Sequence, residues 1–98
     1  MTQAETIAIL RKNADAIRAY GATALFLFGS AARDEMGPAS DVDLFIEYDP
    51  AHPPSLFDLS GLSRVLSGAL NRPVDLGTRD GLHPRLRSEI ERTSMRVV

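Results

Sequence analysis

The sequence predicts an α+β protein, an α/β two-layer arrangement in which helices cover at least one face of a small sheet. Three observations predict it. Short runs rich in Val, Ile, Leu and Phe stand at 23–28, 41–47 and 73–76. Segments with apolar residues at three- and four-residue steps lie before, between and after them, and Gly, Pro, Asn or Asp punctuate the junctions. With 98 residues, 44% of them hydrophobic and 24% charged, the chain has the composition and length of one globular domain spanning 1–98.

Residues 2–19 read as an amphipathic helix because Ile7, Leu10, Ala14 and Ile17 share a face, and Thr2-x-x-Glu5 has the form of a capping box. Gly21 supplies the C-terminal stop. Thr23 to Phe28 is too short for a stable helix and uniformly apolar, as in a strand buried on both faces. Ala31-Ala32-Arg33 gives a brief turn, and Gly37-Pro38 breaks the chain before Ser40. Asp41 to Glu47 is the second strand, closed by Asp49-Pro50, and 50–54 forms an extended linker. A helix then starts at Ser55, with Asp58 as its cap partner, presents Leu59, Leu62, Leu66 and Leu70, and ends at Asn71. Pro73 to Leu76 is a third strand, with Pro at the first position where its missing N–H matters least. A loop over 77–81 leads to a helix from Pro84 with Leu86 and Ile90 facing inward, and Met95 to Val98 closes as an edge strand.

Composition also excludes function classes. A net charge of −2 leaves no excess of Lys and Arg to cover a phosphate backbone, so direct duplex binding is not expected. The absence of cysteine removes disulfides, thiolate zinc sites and thiol catalysis. No apolar run nears the ~18–20 residues needed to span a bilayer, and Met1 to Glu5 lacks the basic start of a secretory signal. The expectation is a cytoplasmic protein without membrane contact.

Asp41 and Asp43 stand two apart in a strand and so project from one face. Paired carboxylates repel and raise each other's pKa unless a cation neutralises them, and hard oxygen ligands suit Mg²⁺. The alternative is that both acids solvate an edge strand. Leu27-Phe28-Gly29-Ser30 delivers a strand directly into a small-residue turn, where a phosphate can reach backbone N–H groups with no Cβ in the way. Ser30 adds a hydroxyl and Arg33 a guanidinium fork, although an ordinary turn has the same local sequence. A P-loop is excluded, because the second Gly and the Lys-Ser/Thr pair are missing.

Taken together, Gly29-Ser30-x-x-Arg33 and Ser40-Asp41-x-Asp43-Leu44, with eleven positions from Ser30 to Asp41, resemble the DNA polymerase β-like nucleotidyltransferase superfamily. The similarity is to its smallest members, the minimal nucleotidyltransferases or MNT proteins, and it runs over nearly the whole chain. The resemblance implies a small mixed sheet with helices packed on it, and a third acid on a later strand, which Val74-Asp75-Leu76 supplies. It further implies two Mg²⁺ ions held by Asp41, Asp43 and Asp75, ATP as substrate, and β and γ phosphates held by Gly29 and Ser30 with Arg33 as a secondary contact. Asp75 would bind the metal at the attacking hydroxyl and help to remove its proton. Asp34 departs from the family, which often has Gly there, but Asp tolerates positive φ better than most residues.

The activity so implied is Mg²⁺-dependent transfer of AMP to a hydroxyl of a partner protein. In the family that partner is often a HEPN-domain toxin encoded nearby, which makes the small protein an antitoxin. Two other readings stay open: an inactive antitoxin that neutralises its partner by contact, and a transferase for a small aminoglycoside-like molecule, which the missing substrate domain disfavours. Homo-oligomers are compatible with the sequence. Glu47 and Asp49 read as solvated strand-end charges, His52 and His83 as exposed or capping loop residues, and Arg79, Arg85 and Arg87 as surface cations.

Overall fold

The computed structural model describes residues 1–35, 37 and 41–98, so the predicted break at Pro38 and the Ser40 of the second motif lie outside the described residues. Three strands form where predicted, within one or two residues: β1 Ala22–Phe28, β2 Val42–Tyr48 and β3 Val74–Thr78, with a short β4 at Met95–Arg96. They join in the order β3-β2-β1-β4. β1 runs antiparallel to both β2 and β4, whereas β2 and β3 are parallel, so the sheet is mixed. The parallel pair requires a crossover, and the long helix α4 (Leu56–Leu70) provides it.

The predicted helix over 2–19 is two helices, α1 (Gln3–Lys12) and α2 (Ala14–Ala19). Asn13 divides them: its amide Nδ2 donates to the Ile9 carbonyl at 2.9 Å and its own backbone leaves helical geometry at φ −99°, ψ 15°. Side chains of this type compete with the helical ladder in this way. Thr2 and Glu5 make the reciprocal capping box, and Gly21 takes φ +103° just beyond the Tyr20 cap. α4 matches its prediction at both ends, with a Ser55–Asp58 capping box and Asn71 in the left-handed region at φ 53°.

α1, α2 and α4 pack on one face of the sheet. Leu10, Ile17, Leu62, Leu66 and Leu70 meet Leu25, Leu27, Val42, Leu44 and Ile46 there, all fully or almost fully buried. The second face differs from the expectation of a β1 covered on both sides. Thr23 is exposed and Phe26 and Phe28 are half-buried, because among the described residues this face carries no packed helical layer. Its apolar part is a small aromatic group: Phe26 stacks on its register partner Phe45 with centroids 4.8 Å apart, and Phe28 tilts against Phe45 at 5.7 Å.

The last helix also differs. Pro84 opens a turn, and α5 begins only at Arg87, running to Thr93. Leu86 is exposed and Ile90 half-buried, so Leu86 does not face inward. The charged residues around it dominate: α5 contains no buried residue, and Glu91 binds both Arg87 and Arg79. No helix among the described residues is long and apolar enough to cross a membrane.

Candidate active site

The partly open face of the sheet carries the acids. Odd-numbered residues of β2 project there, and the antiparallel register sets Asp43 opposite Phe28, the last residue of β1. Through the parallel register, Asp43 is also the partner of Asp75 on β3. Two carboxylates separated by thirty-one chain positions are thus brought side by side on adjacent strands. Asp41 lies outside the predicted strand position. It sits one residue before β2 and is exposed, where the strand begins with Val42 donating its N–H to the Pro73 carbonyl at 2.9 Å.

Immediately after β1 the chain turns at Gly29, which has φ +69° and opens a one-turn helix α3, Gly29–Ala32. A Cβ at Gly29 would collide with the Asp43 carboxylate Oδ2 and lie 3.2 Å from its Cγ. Glycine is needed here for two reasons, the left-handed backbone and the close approach of the Asp43 carboxylate. The sequence reading assigned the space above Gly29 to phosphate, whereas the atom that a side chain would meet first belongs to Asp43. Ser30 is half-buried beside it. Arg33 is exposed and paired with Glu35 at 3.1 Å, and Asp34 takes φ +57°, the left-handed conformation that a glycine would otherwise supply.

Electrostatics ties these residues together. Burial, followed by the Asp75 and Asp41 carboxylates, pushes Asp43 above the ordinary carboxylate range, and the Arg33 guanidinium pulls it partly back. All three acids therefore share one field with Asp43 at its centre. Among the described residues, no group of three or more His, Asp or Glu side chains is gathered tightly enough to grip one ion. The donor set itself, carboxylate oxygens with Asp43 half-buried among them, suits a hard divalent cation.

Several residues have roles that the sequence did not disclose. Gln3, at the start of α1, donates from Nε2 to the carbonyls of Ala31 and Ala32 at 3.1 and 2.9 Å and so clamps the end of the Gly-Ser turn. A lone Gln near a chain start carries no local signal for such a contact across twenty-eight residues. Arg79 is not a simple surface cation. It lies over the Phe26 and Phe45 rings at 4.9 and 5.4 Å and pairs with Glu47 at 2.7 Å and Glu91 at 3.2 Å. Glu47 is accordingly a half-buried ion-pair partner rather than a solvated strand-end charge. The histidines match expectation: His52 is exposed beside Asp49, and His83 caps the Arg85 N–H.

A cavity of about 370 Å³ opens beside Asp75, with Phe28, Gly77, Thr78, Leu82 and His83 in its wall. A second, of about 520 Å³, lies towards the other end of β2 near Tyr48, Arg79 and Pro53.

Comparison with known proteins agrees with this geometry. Residues 10–96 match the nucleotidyltransferase domain family. A Methanocaldococcus jannaschii protein that bears the provisional name protein adenylyltransferase is 37% identical over 92 residues, covering 92% of each chain. A solved structure provisionally described as a minimal nucleotidyltransferase superposes with a TM-score of 0.72 at 34% identity, over 94% of this chain and 88% of that one. The same fold, at TM-score 0.68 and 18% identity, occurs in a complex of a tri-AMPylated Shewanella oneidensis HEPN toxin with its MNT antitoxin, covering 98% of this chain and 71% of that one. Because the family match runs through β2 and β3, which carry Asp43 and Asp75, and through the Gly-Ser turn that precedes them, the chain belongs to the nucleotidyltransferase domain family and is an enzyme of its minimal, MNT type.

Proposed function

We propose that this chain transfers AMP from ATP to a hydroxyl group of a partner protein, that the partner is a HEPN-domain toxin, and that the transfer makes the chain a cytoplasmic antitoxin acting as a single domain over 1–98. The observation that carries the reading is the β2–β3 register that sets Asp75 beside Asp43, with the Gly29 turn against the same carboxylate. Relatives named as protein adenylyltransferases and a fold shared with the antitoxin of an AMPylated toxin support the choice of nucleotide and of acceptor.

In this reading Asp41, Asp43 and Asp75 would hold two Mg²⁺ ions, which when bound would supply Lewis-acid stabilisation of charge developing in the displacement at the α-phosphorus. Gly29 and Ser30 present backbone N–H and hydroxyl donors to the β and γ phosphates, and Arg33 is close enough to influence Asp43, so its charge reaches the same site. Gln3 keeps that turn in place through the Ala31 and Ala32 carbonyls. Asp75 accepts the proton of the acceptor hydroxyl from the edge of the sheet, where it is exposed to an incoming partner.

Incubating the chain and its HEPN-domain partner with ATP and Mg²⁺, followed by intact mass measurement, tests the proposal. AMP-sized increments on the partner are expected. An unmodified partner that is nevertheless inhibited would replace the enzyme reading with neutralisation by contact.

A further inference from the structure

The order of the strands gives the transfer reaction a direction. The Gly29–Ser30 turn leaves β1, Asp43 lies on the neighbouring β2, and Asp75 lies on β3 at the sheet edge. An in-line displacement requires the attacking oxygen and the leaving pyrophosphate to lie on opposite sides of the reacting phosphorus. With the β and γ phosphates held at the β1 side, the attack comes from the β3 side. The nucleoside stays bonded to the α-phosphorus through its 5′ oxygen, sideways to that line, so the β3 side is left to the acceptor.

The cavity of about 370 Å³ opens on that side. Asp75 lines it together with Phe28, Gly77, Thr78, Leu82 and His83. We infer that this cavity receives the acceptor's hydroxyl-bearing side chain and its flanking backbone, and that Leu82 and His83 are positioning residues for the acceptor. The inference rests on the transfer reading above and adds the residues that recognise the acceptor, Leu82 and His83.

Chemistry at the wall fits a polypeptide segment. Phe28 and Leu82 offer apolar contact to a side-chain stem, and Gly77 has open space around its Cα, where no atom lies within 4 Å of an added Cβ. His83 accepts the Arg85 N–H at Nδ1, at 3.2 Å, which fixes the tautomer with Nε2 as the donor. Nε2 can then donate to an acceptor oxygen, either the reacting hydroxyl or a backbone carbonyl. In this tautomer His83 holds the acceptor and does not deprotonate it, leaving that task to Asp75. Leu82 and His83 follow the 3-10 turn Arg79–Gly81, whose first residue is anchored to Glu47 and Glu91, so both sit on a tethered segment rather than a free loop.

Electrons and atoms balance as in any nucleotidyl transfer: the acceptor oxygen forms a bond to the α-phosphorus, the bond to the bridging oxygen of pyrophosphate breaks, and the hydroxyl proton passes to Asp75.

The test is steady-state AMP transfer from Mg·ATP to the HEPN-domain partner by Leu82→Ala, His83→Ala, His83→Gln and the Leu82→Ala/His83→Ala pair. Each alanine variant is expected to raise the KM for the partner about ten-fold, the usual scale of a lost pocket contact. The Kd for Mg·ATP by calorimetry should stay within two-fold, and His83→Gln, which retains a donor, should recover part of the loss. In EDTA, where no transfer occurs, the double variant should also bind the partner more weakly by calorimetry. A KM and partner Kd unchanged in the double variant would overturn the inference, and so would a weakened Mg·ATP affinity, which would assign the cavity to the nucleotide. A wild-type protein that transfers nothing would instead remove the underlying transfer reading, while the EDTA binding comparison would still report on the surface.

Discussion

Asp43 combines three features that seldom coexist at a residue kept for stability: it is half-buried, faces another acid across the β2–β3 ladder, and presses against the backbone of Gly29. Its proton affinity is raised, first by burial and then by Asp75 and Asp41. A carboxyl whose folded pKa lies above its unfolded value binds the proton more tightly when folded. The fold is therefore favoured below the ordinary value of 3.8 and loses stability as pH rises through the raised one. Asp43→Asn should accordingly melt higher than wild type at pH 7 in EDTA, with the difference shrinking towards pH 3, while AMP transfer is abolished. Thermal melts at the two pH values check the first part; a lower neutral melting temperature for Asp43→Asn would show that Asp43 is a stabilising residue. Asp75 stands exposed on the edge strand β3. Asp75→Asn should bind Mg·ATP within a few-fold of wild type, because the triphosphate side of the site is built on β1 and β2. It should transfer AMP at least ~10²-fold more slowly, the scale of a lost general base. Single-turnover transfer at the wild-type rate would sink the assignment.

Among the elements, α4 makes the active geometry feasible. Parallel β2 and β3 can pair in this register only if the chain between them returns to the same end of the sheet, and α4 spans that crossover while burying Leu62, Leu66 and Leu70. Its start is set by Ser55, whose hydroxyl accepts the Asp58 N–H at 3.1 Å while Asp58 accepts the Ser55 N–H at 2.8 Å. Ser55→Ala should lower unfolding stability by about 0.5–2 kcal/mol, read from urea denaturation, with the Kd for Mg·ATP unchanged because the helix stays docked by its leucines. α5 is the contrasting element. Its ties are ion pairs through Glu91, and no residue of it is buried, so it depends on Arg79 rather than on a hydrophobic stripe. That dependence explains why apolar spacing misplaced its start at Pro84: Leu86 and Ile90 have the helical interval, but no layer stands over this face to receive Leu86.

At the scale of the whole molecule, the sheet is asymmetric: one face is filled by three helices and the other carries Asp43 and Asp75. A site of clustered acids at such a face makes ligand binding and stability one equilibrium. Mg·ATP at 100-fold its Kd should add about 2.7 kcal/mol to unfolding stability, seen as a rise in melting temperature. ATP in EDTA should produce none, because the triphosphate then meets Asp41, Asp43 and Asp75 with their charges uncompensated. An equal rise with and without metal would remove the metal from the proposed mechanism.

The sequence alone determined what is encoded locally or in a spaced motif. Apolar runs and caps located β1 to β3 and both ends of α4, since burial and capping are decided by residues within a turn or two. Gly29-Ser30 and Asp43 marked the candidate site because a tight turn and an acid at the start of a strand are written in neighbouring residues, although Asp41 falls one residue before β2 rather than in it. At Asp34 the side chain only permits a positive φ, and the fold decides that it takes one. Tertiary structure decided everything that depends on which strands become neighbours. Only the parallel register puts Asp75 against Asp43, only the fold carries Gln3 to the Ala31 and Ala32 carbonyls, and only the pairing of β1 with β2 gives Arg79 two rings to lie over beside the two acids it holds. Contacts between residues distant in the chain have no period or spacing to announce them, because the free energy that selects them comes from assembling the whole sheet.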